Sequence, residues 1–138
     1  MIEILMKFLK FATFGMTCEI FFTALVEVKN SIKNKTKINW ALKGFSFIWM
    51  FPIYGLVALL GPIIIEPAQQ FPFIIRLLIY TSIIFIVEYI TGWVIRKMTG
   101  RCPWHYDSGW QIHNLIRLDF TPFWMLFSAL IEFLYFNY

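Results

Sequence analysis

The stretch "PFIIRLLIYTSIIFIVEYITGWVI" (residues 72–95) decides the fold of this chain. Its only charged residues are Arg76, near the start, and Glu88, well inside the run. An apolar run of about 20 residues suits a hydrocarbon core about 30 Å thick. Apolar and polar residues do not alternate along it, which disfavours a strand of a membrane barrel. The stretch therefore predicts a transmembrane helix, and it raises the question of why a carboxyl lies within it.

Three further runs of similar character lie at about residues 8–28, 44–65 and 120–138. Overall the chain is 59% hydrophobic and only 14% charged, whereas soluble proteins are about 25% charged. The predicted fold class is all-α, a polytopic membrane protein with four transmembrane helices. Its length of 138 residues predicts a single transmembrane domain over residues 1–138.

The positive charge is concentrated in two connectors. Five of the 12 Lys and Arg residues lie in the basic connector 29–43 and four lie in residues 96–117. The positive-inside rule then places the connectors 29–43 and 97–118 in the cytoplasm and both termini outside. No basic patch is interleaved with base-stacking aromatics outside the apolar runs, so the expected partner is the lipid bilayer and not nucleic acid.

Three of the predicted spans carry a carboxyl in their interior: Glu19, Glu88 and Glu132. Counted from the span ends, Glu19 and Glu88 lie about 16 Å deep and Glu132 about 19 Å, so we expect them near one level. No Lys or Arg is expected at that depth, so each carboxyl must be protonated, hydrogen-bonded or exposed to a water-filled cavity. This pattern favours proton or cation handling, or acid–base chemistry. The alternative is a protonated glutamate that only joins two helices.

Glycines accompany two of these carboxyls at helical spacing. Gly15 precedes Glu19 by four residues, and Gly92 follows Glu88 by four. Residues four apart share a helix face, so each glycine is predicted to let a neighbouring backbone approach the carboxyl.

The connector "RCPWHYDSGWQIH" (residues 101–113) holds both histidines of the chain. Cys102 and His105 have a ligand-like spacing, but it fits no established zinc pattern, so neither a metal nor another cofactor is predicted. A nucleophilic Cys102 with His105 as its base is a similarly thin match. The remaining interpretation is an interfacial loop, with Trp104 at headgroup level and Arg101 near lipid phosphate.

Several stretches resemble a known family. They are "FGMTCEIFFTAL" (14–25), "FPIYGLVALL" (51–60), "LLIYTSIIFIVEYITGWVIRKMTGRCPWHYDSG" (77–109) and the fourth span. They are similar, over roughly residues 11–133, to small multipass proteins labelled "putative ABC-transporter permease type IV", which include vertebrate transmembrane proteins of unknown function. The resemblance implies functional positions at Gly15 and Glu19, at Pro52 to Gly55, at Glu88, Tyr89, Thr91 and Gly92, and at Trp104 and Tyr106.

The chain departs from that family at two loop positions and carries no energy-coupling motif. The family pattern has Asp after the loop Trp and Ser after the Tyr, where this chain has His105 and Asp107. The carboxylate of this chain is thus displaced by two positions, so the resemblance does not assign it the role of the family's Asp. The chain contains no G-x-x-x-x-G-K-[ST] P-loop. The resemblance therefore implies a fold and candidate residues but no substrate.

Three functions remain open on the sequence. The first is movement of an ion or small solute through a cavity lined by intramembrane carboxylates, with a homo-oligomer, most simply a dimer, because four short spans enclose little space. The second is a membrane-embedded enzyme acting on a lipid or isoprenoid carrier, without assigned catalytic residues, and the third is a non-catalytic accessory or scaffold subunit. The residues predicted to bind the ion or substrate are Glu19, Tyr54, Glu88, Tyr89, Arg101, Trp104, His105 and Asp107.

Overall fold

The computed structural model describes residues 1–137, so Tyr138, the last residue of the predicted fourth span, lies outside the described residues. The elements in chain order are α1 (Ile2–Lys33), α2 (Met50–Gly55), α3 (Val57–Ala68), α4 (Phe73–Thr99), β1 (Gln111–Ile112), β2 (Ile116–Arg117), a 3-10 turn (Leu118–Phe120) and α5 (Thr121–Asn137). Within this described part, four helical stretches are long and apolar enough to cross a membrane: Ile2–Lys33, Met50–Ala68, Phe73–Thr99 and Leu118–Asn137. The predicted all-α polytopic fold is confirmed.

The chain divides into two compact units, Met1–Val57 and the residues from Ala58 onward. In the N-terminal unit, α1 packs against residues 44–55, which run antiparallel to it. The rings of Phe8 and Phe51 meet edge to face with centroids 6.1 Å apart. Phe11 and Ala12 of α1 are almost fully buried, whereas many other apolar side chains of this helix are exposed, as expected for a surface that faces lipid.

Helix α1 is longer than the apolar run that predicted it, because its ends continue through polar residues. The i,i+4 ion pair between Lys7 and Glu3, at 3.0 Å, lies in the first turns. By contrast, residues 44–49, predicted to open the second span, are not helical. The Thr23 hydroxyl accepts a hydrogen bond from the Phe45 N–H at 2.8 Å and donates one to the Phe45 carbonyl at 3.0 Å. The N–H and the carbonyl of Phe45 are therefore both hydrogen-bonded to a side chain and not to the backbone of a helix.

In the C-terminal unit, α4 and α5 pack against each other as antiparallel helices. Helix α4 ends at Gly100, whose φ of 80° lies in the left-handed region and whose N–H reaches the Arg96 carbonyl at 2.9 Å. Glycine adopts this conformation without the steric penalty of a Cβ, so it is a common helix stop. The third span consequently runs four residues past its predicted end at Ile95.

The connector between α4 and α5 contains a small β-hairpin that the sequence analysis did not predict. Strands β1 and β2 are antiparallel, with Gln111 opposite Arg117 and Ile112 opposite Ile116. His113 and Asn114 both have positive φ, 52° and 61°. The Leu115 N–H donates to the Ile112 carbonyl at 3.0 Å. This is the type I′ geometry that matches the twist of a hairpin, and it turns the connector into an ordered cap on the end of α4.

Candidate functional site

Glu88 of α4 is a buried carboxyl, 6% exposed, that is contacted from the connector. The Tyr106 hydroxyl donates a hydrogen bond to Glu88 Oε1 at 2.8 Å. Asn114 fixes the Tyr106 backbone, since its Nδ2 donates to the Tyr106 carbonyl at 2.7 Å and its own carbonyl accepts the Tyr106 N–H at 3.2 Å. The Tyr106 ring also lies edge-on against Phe120, with centroids 5.9 Å apart. The hairpin turn thus delivers a phenol to the helix carboxyl.

Gly92, one turn beyond Glu88, accommodates an indole rather than a neighbouring backbone. A Cβ at this position would lie 3.1 Å from Leu115 Cδ2 and 3.2 Å from Trp104 Cζ2. The Trp104 Nε1–H donates to the Leu115 carbonyl at 3.2 Å, and Leu115 is fully buried. The glycine therefore provides the close approach that the sequence predicted, but the approaching groups are side chains of the connector.

Tyr89 lies at the base of the hairpin turn. Its hydroxyl is 2.8 Å from His113 Nδ1, and the Arg96 guanidinium donates to the His113 carbonyl at 3.1 Å. A histidine with φ near 52° occupies a region that non-glycine residues enter rarely and that surrounding contacts must hold. These two contacts from α4 hold the turn in that conformation.

The polar residues on the outside of the connector form a separate group. Arg101, His105 and Asp107 are exposed. His105 Nε2 and Asp107 Oδ1 are 2.9 Å apart, with side chains 54% and 83% exposed. The carboxylate displaced by two positions relative to the family pattern thus pairs with the histidine that stands in the usual Asp position.

The buried Cys102 does not favour nucleophilic chemistry. Burial raises the pKa of the Cys102 thiol, so less of it is the reactive thiolate at neutral pH. Among residues 1–137, no group of three or more His, Cys, Asp or Glu side chains is placed to hold a metal ion.

In the N-terminal unit, Glu19 is half-buried and, like Glu88, accepts hydrogen bonds from hydroxyl groups. The Ser46 hydroxyl donates to Glu19 Oε2 at 2.7 Å, and the Tyr54 hydroxyl donates to the same oxygen at 3.2 Å. Tyr54 is buried, and its ring lies so close to Gly15 that a Cβ there would overlap it. Gly15 therefore makes room for the ring that reaches Glu19.

The same arrangement recurs once more in the C-terminal unit. The ring of Tyr135 lies over Gly61, and its hydroxyl donates to Glu66 Oε1 at 2.7 Å. Four helical residues rise about 6 Å, a distance that a tyrosine side chain can span from ring base to hydroxyl. A glycine one turn or slightly more before a glutamate thus seats a ring whose hydroxyl meets the carboxyl. We call Tyr54 and Tyr135 the glycine-seated tyrosines.

Glu132 differs from the other carboxyls, because it has a basic partner. Arg76 Nε and Nη2 donate to its two oxygens at 2.9 and 2.7 Å, and Gln69 Nε2 adds a contact at 3.3 Å. The prediction that no Arg lies at its depth was therefore wrong. Arg76 precedes Glu88 by 12 residues in α4, about 18 Å along the helix, so the expected common level of Glu88 and Glu132 was wrong as well. The depth of a carboxyl relative to another helix depends on the register of the antiparallel packing, and the position of a residue within its own span does not reveal that register.

Family comparison supplies the remaining evidence. A family described as "Putative ABC-transporter type IV" matches residues 6–137. The chain belongs to this family. No solved structure matches it. Family membership and the four apolar helices together identify a multipass integral membrane protein with a transport-related role in the lipid bilayer, and they confirm the resemblance drawn from the motifs.

Tyr106 and Ser46, which contact carboxyls, and Asn114, which holds Tyr106, were not among the residues predicted to bind the ion or substrate. Tyr106 carried a signal, because it belongs to the Trp-x-Tyr motif of the connector. The sequence did not show that this tyrosine, rather than its exposed neighbours, reaches the carboxyl. Ser46 and Asn114 carried no signal, since a serine near the start of an apolar run and an asparagine in a loop are common. Only the three-dimensional hairpin and the non-helical segment 44–49 bring them to the site.

Proposed function

We propose that this protein moves a proton or small cation across the membrane and that Glu88 is the group that takes it up. The observation that carries the proposal is a carboxyl 6% exposed within a membrane-length helix, hydrogen-bonded at 2.8 Å to Tyr106 of the connector. An ionised carboxyl in that setting is costly unless a proton, a cation or hydrogen bonds compensate it. Glu88 therefore has a reason to bind positive charge.

Tyr106 suits both states of such a carboxyl. A phenol hydroxyl donates to a carboxylate and can accept from a carboxylic acid, so the contact survives protonation of Glu88. The type I′ turn at His113 and Asn114 holds Tyr106 in place, and movement of this hairpin would withdraw the hydroxyl. We infer that the hairpin is the movable cover of the Glu88 site.

Glu19 is proposed as a second binding carboxyl, with Tyr54 and Ser46 in the roles that Tyr106 has at Glu88. The exposed Arg101, His105 and Asp107 are proposed to meet solute at the connector. In this proposal the connectors 29–43 and 97–118 are cytoplasmic, both termini lie outside, and the protein works as a homodimer. The test of orientation is labelling of single cysteines in these connectors by a membrane-impermeant reagent in intact cells.

The experiment for transport uses purified protein in liposomes under a pH gradient, with a lumenal pH-sensitive dye. Glu88→Gln is expected to reduce the flux by about tenfold or more, as for loss of a positioned proton-transfer group. Tyr106→Phe should reduce it less, because the carboxyl remains. The matched control is Glu27→Gln, the same change at an exposed position near the end of α1. Flux unaffected by Glu88→Gln would overturn the proposal.

The two other hypotheses make different predictions in the same preparation. A lipid-modifying enzyme needs a phosphate-binding cation beside the acid or base, yet Arg101 and His105 are exposed and His105 is paired with Asp107. This arrangement favours transport. Protein that carries no flux above empty liposomes while remaining folded would instead support a scaffold subunit.

A further inference from the structure

Helices α4 and α5, which pack against each other, carry polar side chains that are buried and have no hydrogen-bond partner within the described part of the chain. Thr81, Trp124 and Ser128 are 3%, 6% and 2% exposed. Within the described part of the chain, Thr81 Oγ1, Trp124 Nε1 and Ser128 Oγ have no hydrogen-bond partner. A buried hydroxyl or indole N–H without a partner is unfavourable, because it has lost its hydrogen bonds to water and gained none. Three such groups on a pair of packed helices therefore point to a ligand between the helices.

Other hydroxyls of α4 donate their hydrogen bonds to backbone carbonyls of the same helix. Ser82 donates to the Leu78 carbonyl at 2.8 Å, and Thr91 donates to the Val87 carbonyl at 2.7 Å. Such bonds to the backbone carbonyl four residues earlier are common for Ser and Thr in apolar helices. Thr81 and Ser128 do not use it, although both have a helical residue four positions before them. Their hydroxyls are thus left available for a group between the helices.

The register of the two helices places these groups in a row. Arg76 pairs with Glu132 at one end, and the Tyr106 ring contacts Phe120 while its hydroxyl reaches Glu88 at the other. Antiparallel packing then sets Ser128 level with Thr81. Trp124 follows one turn nearer to Glu88, and each turn of four residues advances about 6 Å.

We infer that the α4–α5 interface holds a file of water molecules that connects Glu88 with the cluster of Arg76, Glu132 and Gln69. A gap of about 6 Å needs one or two waters with hydrogen bonds near 2.8 Å. A proton released by Glu88 passes from water to water, and the hydroxyls of Thr81 and Ser128 each accept one proton and release another. Trp124 can only donate, so it orients a water without relaying. The proton emerges at the Glu132 carboxylate.

This inference rests on the proposed function for the role of Glu88 as the proton donor, but the waters can be measured without it. The experiment uses protein in lipid bilayers with 15N-labelled tryptophan indoles, and solid-state NMR records magnetisation transfer from water to each Nε1–H. Trp124→Phe assigns the signal. Trp104 is the internal reference, because its buried Nε1–H donates to the Leu115 carbonyl. Transfer to Trp124 should be several-fold faster than transfer to Trp104, and equal transfer overturns the inference.

The liposome assay tests conduction along the file. Thr81→Val together with Ser128→Ala keeps the side-chain volumes close while removing both relays, and should reduce proton flux by about tenfold. Ser82→Ala is the control, since its hydroxyl is engaged by Leu78. Flux that is lost in Glu88→Gln but retained in the double variant overturns the water route and leaves the proposed function standing. Wild-type protein with rapid water transfer but no flux refutes the proposed function and, with it, the proton route.

Discussion

Replacing Arg76 with methionine is expected to destabilise the C-terminal unit more than any other single change of a charged side chain there. Arg76 and Glu132 form a two-pronged ion pair, and their side chains are only 17% and 10% exposed. Methionine retains an apolar stem against the Phe73 ring, over which the guanidinium lies at 5.4 Å. The substitution therefore removes the charge and its hydrogen bonds while preserving most of the packing.

The magnitude follows from what remains after the substitution. Breaking a buried ion pair by removing one partner typically costs 3–5 kcal/mol, because the other charge stays buried. Both side chains keep some exposure, so we place the loss near the low end, at about 3 kcal/mol. Removing both charges, with Arg76→Met and Glu132→Leu together, should bring the stability back to within about 1 kcal/mol of wild type. The double-mutant cycle should then give a coupling energy that shows a stabilising interaction between Arg76 and Glu132.

The assay is reversible unfolding of the purified protein in mixed micelles of increasing denaturing-detergent fraction, followed by helical circular dichroism. Lys7→Met is the control, because it breaks the exposed pair with Glu3, whose side chains are 47% and 81% exposed. An exposed pair contributes at most about 1 kcal/mol. A loss below this value in both single variants, or a double variant less stable than either, would refute the reasoning.

Three further predictions address the sites themselves. Gly15→Val should push the Tyr54 ring from its seat and cost about 2 kcal/mol in the same unfolding assay, and adding Tyr54→Ala should recover part of that loss. The raised pKa of the buried Cys102 thiol predicts slower maleimide labelling in folded than in unfolded protein, with a rate that climbs as pH rises; mass spectrometry of its peptide measures this, and equal rates contradict it. Asn114→Ala should speed tryptic cleavage of the connector more than Asn114→Gly, since alanine tolerates the φ of 61° poorly; the reverse order would remove backbone strain as the cause.

The fold was largely predictable because the thickness of the hydrocarbon core of the bilayer sets the length of a helix that crosses it. Runs of about 20 apolar residues gave the four spans, and Gly100 could have marked the true end of α4. The non-helical segment 44–49 was not predictable, since its residues are as apolar as those of the helix that follows. Its conformation depends on Thr23, which lies more than twenty positions earlier in the chain and bonds both backbone groups of Phe45.

The intramembrane carboxyls could be identified from the sequence, but their hydrogen-bond partners could not. Glu88 and Glu19 were identifiable because a charge in an apolar run is costly and therefore rare. Arg76 was visible as well, but its pairing with Glu132 depends on how far α5 is shifted along α4, and no local pattern encodes that shift. The hairpin turn at His113 and Asn114 lacks the usual Asn-Gly signature, so the delivery of Tyr106 to Glu88 could not be read from the sequence.

The glycine-seated tyrosines explain why glycines accompany these glutamates. A hydroxyl that must reach a carboxyl on a helix face needs its ring laid flat along that helix, and a Cβ beneath the ring would lift it away. At Glu88 two connector residues share these roles. Trp104 lies over Gly92, and Tyr106 supplies the hydroxyl that bonds the carboxyl. This division makes the Tyr106 contact with Glu88 depend on a hairpin, whereas Glu19 is contacted both by Ser46 of the non-helical segment 44–49 and by Tyr54 of the membrane-length stretch Met50–Ala68. A movement of the hairpin would withdraw the Tyr106 hydroxyl from Glu88, whereas a movement of segment 44–49 would leave the Tyr54 hydroxyl at Glu19.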